Sequence, residues 1–212
     1  MSQPANRRTF TKAAVAGAGL AAWGVPAALQ GAPSERVRVG VIGTANRGCQ
    51  DIKAFLEQPD CEIVALCDVY QPHLAAANKL IGGKAAEYAD FRKLLEHKGL
   101  DAVLVATPDH WHAIQTVNAC DAGKDVYVEK PLSITVVEGR KMVEAARRNN
   151  RVVQVGTHRR SSTLYAQLAQ LASEGKVGKI TVARAYRASN MYPDGMGRAQ
   201  PSAPPAELNW DM

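Results

Sequence analysis

The stretch that decides the fold is VRVGVIGTANRG, which spans residues 37–48. Its first half, Val37–Ile42, is mostly apolar, as a strand buried on both faces of a parallel sheet should be. Its second half, Gly43–Gly48, stands where a Gly-x-Gly-x-x-Gly turn would be, with Ala45 at the middle glycine. In such a turn the first glycine permits a tight bend, and the last lets the following helix pack closely on the strand. The stretch therefore predicts a strand, a dinucleotide-binding turn and a helix.

Apolar runs and helix patterns alternate along the rest of the chain. Further strands are predicted at Glu62–Cys67, around Tyr88, and at Ala102–Ala106, Asp125–Val128 and Val152–Val155. Helices are predicted at Gly48–Leu56, Pro72–Ile81, Phe91–His97, His112–Ala122 and Val136–Asn149, the last capped by Thr135. Strands that alternate with helices form parallel βαβ units. We therefore expect an α/β fold with a Rossmann-like, doubly wound parallel sheet.

Polar residues follow three of these strands at the point where each strand ends. Asp68 follows the second strand, the cluster Thr107–His112 follows the fourth, and Glu129-Lys130-Pro131 follows the fifth. Because open α/β sheets bind ligands along the carboxyl edge, we expect these residues to share one site. Asp68 comes 20 residues after Gly48, the spacing at which an acidic residue binds the ribose 2′-hydroxyl of a dinucleotide. Its carboxylate would repel a 2′-phosphate, which favours NAD over NADP.

The order and spacing of these pieces resemble the glucose–fructose oxidoreductase / inositol dehydrogenase (Gfo/Idh/MocA) family. The resemblance runs from about Val37 to the last residue and is carried by Val39–Gly48, Cys67–Val69, Thr107–His112, Glu129–Pro131, Val153–Thr157 and Gly175–Ile180. It implies an NAD(P)-dependent oxidoreductase that transfers a hydride between nicotinamide and a sugar, polyol or related cyclic alcohol. It also implies a homo-oligomer when the protein is full length.

Two alternatives stay open. One is an NAD-dependent relative that cleaves glycosides through transient oxidation, although such relatives generally lack the Glu-Lys-Pro form. The other is a non-catalytic dinucleotide-binding fragment.

The sequence and the resemblance together assign a set of site residues. The residues expected to contact the cofactor are Gly43, Thr44, Ala45, Asn46, Arg47, Gly48, Asp68, Thr107, Pro108, Asp109, His110, His112, Glu129 and Lys130. Lys130 is the expected catalytic residue, because oxidation of an alcohol releases a proton and a buried Lys can take or relay it. Asp109 is a candidate cap for the helix that follows it. No metal site is expected, since His110 and His112 are two residues apart and would not share one face of a helix.

Beyond the sixth predicted strand the chain leaves the sheet. A helix is expected over Ser161–Glu174, with Leu164, Leu168 and Leu171 spaced for core packing. A strand expected over Ile180–Ala188 would begin the family's second, substrate-binding sheet, most of which the chain would lack. The expected divisions are a leader in residues 1–33, an NAD-binding Rossmann domain in 34–158, and the start of an incomplete substrate and oligomerisation domain in 159–212.

The leader is expected from charge and composition. Residues 1–34 carry three basic residues and no acid, which leaves 6 − 3 = +3 for the remainder, an ordinary value without a nucleic-acid footprint. Arg7 and Arg8 precede Phe10 and an apolar, glycine-rich run, a pattern similar to a twin-arginine export signal, although Asn6 and Thr11 depart from it. The glycines argue against a stable membrane span. We therefore expect folding in the cytoplasm, passage through the twin-arginine export machinery, and a periplasmic or exported product.

Overall fold

The computed structural model describes residues 36–186 and 201–212, and the predicted leader lies outside them. The strands are β1 (Val37–Ile42), β2 (Cys61–Cys67), β3 (Ala86–Tyr88), β4 (Ala102–Val105), β5 (Asp125–Glu129) and β6 (Val153–Gly156). The α-helices are α1 (Asn46–Leu56), α2 (Gln71–Leu80), α3 (Phe91–Leu95), α4 (His112–Asp121), α5 (Val136–Arg148) and α6 (Thr163–Ser173). Short 3₁₀ turns at Asp109–Trp111 and His158–Ser161 precede α4 and α6. In this described part, no helix combines the length and the apolar character needed to span a bilayer.

The strands form one parallel sheet in the order β3-β2-β1-β4-β5-β6. This is the order of a doubly wound sheet, in which the chain begins in the middle and winds outward in both directions. The Rossmann-like fold expected from the alternating sequence pattern is therefore confirmed. The order reverses between β1 and β4, so the turn at Gly43 lies at the position where such sheets bind their ligands.

The ends of the central strands are level with one another. Ile42 of β1 pairs with Cys67 of β2 and with Val105 of β4, and Val105 pairs in turn with Val128 of β5. The residues that come next along each strand are therefore neighbours at the carboxyl edge, and these are Gly43, Asp68, Ala106 and Glu129. The expectation that the polar strand ends share one edge is confirmed.

The sheet is buried on both faces, which explains why its strands are so uniformly apolar. On β4, Val103 and Val105 belong to the core formed with α3, α4 and α5. Leu104, between them, belongs to the core formed with α1 and α2. All three side chains are at most 1% exposed. Successive residues of a strand point to opposite faces, so each of the four central strands β2, β1, β4 and β5 contributes to both cores.

The helix limits predicted from the sequence agree with the structure to within two residues. Thr135 caps α5 as expected, and Glu138 completes a capping box by accepting the Thr135 backbone N–H at 2.9 Å. The expectation that Asp109 caps α4 is wrong. A 3₁₀ turn separates Asp109 from the helix, so Trp111 stands at the N-cap position and provides no side-chain hydrogen bond.

Two expectations about the chain after β6 are also wrong. Leu164, Leu168 and Leu171 of α6 are 69%, 56% and 45% exposed, although their spacing predicted core packing. Residues 180–186 form no strand, and the rest of the predicted strand lies outside the described residues. The spacing of leucines identifies the face of a helix that can pack against a core. An apolar run identifies a segment that can pair with another strand. Within residues 36–186 and 201–212, nothing covers that face or pairs with that segment.

Candidate cofactor-binding site

The turn after β1 requires glycine at both of its ends. Gly43 has φ +88°, and a Cβ there would lie 2.7 Å from the Thr107 backbone nitrogen. Its own N–H donates to the Cys67 carbonyl oxygen at 2.9 Å. A Cβ on Gly48 would collide with the Gly43 carbonyl oxygen. The two glycines thus let β1, β4 and α1 meet at one point, as the fingerprint predicted.

The first turn of α1 is open toward this edge. Ala45 is the N-cap residue and supplies no side-chain acceptor. The Cys49 N–H donates to the Ala45 carbonyl oxygen at 2.9 Å, and the amides of Asn46, Arg47 and Gly48 precede that bond. Unpaired amides at the positive end of a helix bind phosphate groups. The turn therefore fits the pyrophosphate of a dinucleotide.

Asp68 joins the end of β2 to this turn. Its Oδ2 accepts the Thr44 backbone N–H at 2.7 Å and the Thr44 hydroxyl at 3.0 Å. Its Oδ1 accepts the Tyr70 N–H at 3.0 Å. A carboxylate offers about four lone-pair positions, so these three bonds leave capacity for a ribose hydroxyl. The His73 Nδ1, 3.9 Å from Oδ1, is the nearest potentially cationic partner.

His112 holds two strand-end loops together and does not face the open edge. It is 1% exposed, with Nδ1 2.7 Å from the Pro131 carbonyl oxygen and Nε2 2.9 Å from the Thr107 carbonyl oxygen. A neutral ring has one N–H and can donate to one of these oxygens. The Thr107 hydroxyl is also engaged, since it donates to Gln115 Oε1 at 2.7 Å. These contacts fix the loop after β4 against the loop after β5.

Asp109 and His110, in contrast, are exposed on the 3₁₀ turn. Their side chains make no hydrogen bond or ion pair with the described residues. The expectation that they contact the cofactor stays a prediction.

A cluster of charged side chains ties α1 to the end of β5. Arg47 Nη2 lies 2.8 Å from Glu129 Oε1 and 2.6 Å from Asp51 Oδ1. Glu129 is 2% exposed and Asp51 is 5% exposed, so both carboxylates share one cation away from water. Glu129 Oε2 also accepts the Lys130 backbone N–H at 3.3 Å. Arg47 therefore positions the Glu-Lys-Pro segment relative to the glycine-rich turn.

Asp51 is the member of this cluster whose charged form is least favoured by its surroundings. Burial, and to a smaller extent the neighbouring Glu129 carboxylate, raise its pKa to about 6 against the opposing charge of Arg47. Among the described residues, its Oδ2 is buried without a hydrogen-bond partner. Asp51 is not among the residues predicted from the sequence. The signal that could have found it is its i,i+4 spacing from Arg47 on the helix that packs against the sheet.

Lys130 is exposed at the end of β5, so the burial expected for it is wrong for this part of the protein. Its ammonium group makes no hydrogen bond or ion pair with residues 36–186 or 201–212. The reason is that no described segment lies over this side of the edge. The Lys130–Pro131 peptide bond is cis.

A cavity of about 410 Å³ lies at the same edge, beside the ends of β1, β2 and β4. Its size is within the range of small-molecule sites. Of the predicted residues, it is lined by Gly43, Ala45, Asp68, Thr107 and Pro108. Its other lining groups include apolar residues that were not predicted from the sequence, among them Val69, Phe91, Trp111, Pro205, Leu208 and Met212. Glu129 and Lys130 do not line this cavity. The predicted residues therefore form two groups, one that lines the cavity and one at the end of β5.

The family can now be assigned. A family profile described as "Oxidoreductase family, NAD-binding Rossmann fold" (GFO_IDH_MocA) matches residues 37–157, more than half of the chain. The chain belongs to the Gfo/Idh/MocA family. The matched range covers the glycine-rich turn, Asp68 and the Glu-Lys-Pro segment, and the resemblance inferred from the sequence is confirmed at this level.

Relatives in the family are named for more than one activity. The chain is 35% identical to "Inositol 2-dehydrogenase/D-chiro-inositol 3-dehydrogenase" of Shouchella clausii over 150 residues, covering 70% of this chain and 43% of that protein. It is 33% identical to "Glycosyl hydrolase family 109 protein 1" of Shewanella sp. over 128 residues, covering 55% of this chain and 27% of that protein.

A solved structure of scyllo-inositol dehydrogenase from Lactobacillus casei, with bound NAD(H) and scyllo-inositol, is similar with a TM-score of 0.64 and 26% identity. The match covers 69% of this chain and 43% of that one. The chain thus spans less than half the length of the relatives it matches.

The raised pKa of Asp51 predicts a specific pH dependence of stability. The folded state holds this proton up to about pH 6 and the unfolded state only up to 3.8, so ionisation of Asp51 opposes folding between these values. Asp51→Asn does not titrate. Its free energy of unfolding, relative to the unchanged chain, should therefore rise by about 1–3 kcal/mol between about pH 4 and about pH 7. Urea unfolding across this range measures the difference.

Asp121→Asn is a control whose titration lies outside this pH range. Hydrogen bonds from Arg148 and Asn149 lower the pKa of Asp121 from its ordinary 3.8, so the stability that its charged form contributes is present above 3.8 and is lost only at lower pH. Between about pH 4 and about pH 7, the stability of that variant relative to the unchanged chain should therefore stay nearly constant. Parallel pH profiles for Asp51→Asn and the unchanged chain would contradict the account of the charged cluster.

Proposed function

We propose that this protein is an NAD-dependent oxidoreductase that transfers a hydride between nicotinamide and a sugar, polyol or related cyclic alcohol. One observation carries the proposal. The level strand ends bring the glycine-rich turn, Asp68 and Glu129-Lys130 to one edge of the sheet, beside an open cavity. Membership of the oxidoreductase family and similarity to inositol dehydrogenases support the chemistry.

The residues present fit a dinucleotide. Neither Gly43 nor Gly48 has room for a Cβ, which keeps the turn tight, and the amides that follow Ala45 suit a pyrophosphate. The Asp68 carboxylate has capacity for a ribose hydroxyl and would repel a 2′-phosphate, and both properties favour NAD over NADP. When bound, the nicotinamide supplies the hydride chemistry.

Lys130 is the group that would handle the proton. It follows β5, which lies beyond β4 and contributes no residue to the apolar cavity, at the place where the nicotinamide end of an extended dinucleotide would lie. Arg47 and Glu129 hold the backbone at Lys130, so its position is set by the fold while its ammonium group is accessible to a substrate. An accessible ammonium group can contact the substrate directly, as a general acid–base must do to transfer a proton.

A second candidate is NAD-dependent glycoside cleavage, which the identity to the Shewanella protein favours. The Glu129-Lys130-Pro131 segment favours the dehydrogenase. Two assays distinguish these activities. A dehydrogenase incubated with NAD and a cyclic polyol should produce NADH, which is followed by its absorbance. A glycoside-cleaving enzyme incubated with NAD and an aryl glycoside should release the aryl alcohol.

The cofactor assignment predicts a difference between NADH and NADPH. Coulomb repulsion between Asp68 and a 2′-phosphate should weaken NADPH about tenfold or more relative to NADH. Asp68→Asn keeps the size of the side chain and removes the charge. It should weaken NADH by about 1–3 kcal/mol and bring the two affinities close together. Calorimetric titration of the unchanged chain and of Asp68→Asn with each cofactor gives the ratio of the NADPH and NADH dissociation constants. A general loss of folded protein would not change this ratio.

NADPH binding as tight as NADH binding in the unchanged chain would contradict the assignment of Asp68. A folded chain that binds neither cofactor at millimolar concentration would contradict the proposed function itself.

Lys130→Ala should separate binding from turnover. Since Lys130 is exposed and contributes no contact to the turn, the variant should bind NADH within a few-fold of the unchanged chain. In any form of the protein that turns over substrate, the hydride-transfer rate should fall about 10²–10⁴-fold. A rate that is unchanged would mean that another group handles the proton.

We further propose that the protein is exported as a folded unit. The support is the Arg7-Arg8 pair before Phe10 in a segment without acidic residues. A reporter fused after Ser34 should reach the periplasm of a bacterial host. Arg7→Lys combined with Arg8→Lys should hold it in the cytoplasm, and export that is indifferent to this change would indicate a different route.

A further inference from the structure

The last described segment, residues 201–212, returns to the end of β2. Leu208 forms an antiparallel bridge with Tyr70. Main-chain hydrogen bonds flank this bridge, from the Asn209 N–H to the Val69 carbonyl oxygen at 2.8 Å and from the Gln71 N–H to the Glu207 carbonyl oxygen at 3.2 Å. Backbone pairing on both sides of Leu208 fixes the position of Leu208 beside the end of β2.

The side chains on that side belong to the cavity. Pro205, Leu208 and Met212 line it, and the Arg92 guanidinium donates to Met212 Sδ at 3.4 Å. Leu208 and Met212 are half-buried, whereas Trp210, between them, is 72% exposed. Turns at residues 206–207 and 210–211 flank Leu208, so the segment is not a regular strand, and Leu208 and Met212 face the cavity while Trp210 faces solvent.

The position of the cavity identifies the part of a dinucleotide that it fits. It includes Asp68, where the adenosine ribose is expected, and no residue of β5 or β6. Its remaining lining is mostly apolar, with the aromatic rings of Phe91 and Trp111 among the lining groups. Adenine is a flat aromatic ring with apolar faces, and such rings gain affinity from close apolar and aromatic contact.

The segment is a wall of this cavity and does not fill it. About 410 Å³ stays open with Pro205, Leu208 and Met212 in place. Removing the wall would expose one side of a bound adenine to water, and the apolar surface that covers the ring would be absent. The expected effect of removal is therefore weaker binding.

We infer that residues 205–212 are a cofactor-binding element that closes the outer side of the adenosine pocket. This inference rests on the proposed NAD binding. It places part of the dinucleotide site in a segment far from the Rossmann strands in sequence, and it assigns Leu208 and Met212 to contact with the adenosine half of the cofactor.

The test uses residues 1–212 together and two ligands, NADH and ADP-ribose, which share the adenosine half. Leu208→Ala combined with Met212→Ala should weaken both ligands by a similar factor, roughly threefold to thirtyfold, because less apolar surface would cover the adenine. Trp210→Ala is the matched control, since it removes a larger side chain from the exposed side of the same segment, and it should leave both affinities unchanged. Calorimetry gives the dissociation constants, and circular dichroism checks the fold of each variant.

A stop codon after Pro204 provides a second, independent variant that should weaken both ligands at least as much. Equal affinities in the double variant and in Trp210→Ala would overturn the inference, as would tighter binding after the deletion. Loss of NADH affinity without loss of ADP-ribose affinity would also overturn it, because the two side chains would then act on the other half of the cofactor. Failure of the unchanged chain to bind either ligand is a different result, which overturns the proposed function and the inference with it.

Discussion

Parallel pairing holds the ends of four strands at one level, and the site depends on this register. Because Ile42 pairs with Cys67 and Val105, and Val105 with Val128, the next residues of β1, β2, β4 and β5 form a row. A slip of one residue in any of these pairs would turn every side chain of that strand to the other face of the sheet. Burial of both faces opposes such a slip, so the same packing that stabilises the sheet also aligns the site.

Polar contacts then connect each strand end to a neighbour. Asp68 binds the turn after β1 through Thr44, and Arg47 of α1 binds Glu129 at the end of β5. His112 holds the loop after β4 against the loop after β5. These contacts fix the site on rigid elements before any ligand arrives, which lowers the ordering cost of binding. Lys130 is the exception, since its backbone is held and its side chain is exposed.

The sheet and most of the site could be predicted from the sequence because the relevant signals are local. Apolar runs, glycine positions and the acidic residue after β2 each lie within a short stretch, and their order determines the topology. The features that were predicted wrongly or not predicted depend on contacts between distant parts of the chain. The exposure of Leu168, the exposure of Lys130 and the place of Leu208 in the cavity wall all depend on which distant segment packs there, and spacing along the chain does not report that. Asp51 was missed because Glu129, which shares the Arg47 guanidinium with it, lies at the end of β5, so the significance of Asp51 appears only once the sheet is assembled.

The most direct measurement of the central claim is a map of backbone amide chemical shifts in the ¹⁵N-labelled chain as NADH is added. We predict the largest changes at the amides of the turn from Thr44 to Gly48 and at Val69 and Tyr70 after β2, because these border the proposed pyrophosphate and adenosine positions. The amides of α6 should be unchanged. Shifts concentrated on α6, or the absence of shifts at the glycine-rich turn when NADH is bound, would contradict the assignment of this edge of the sheet as the cofactor site.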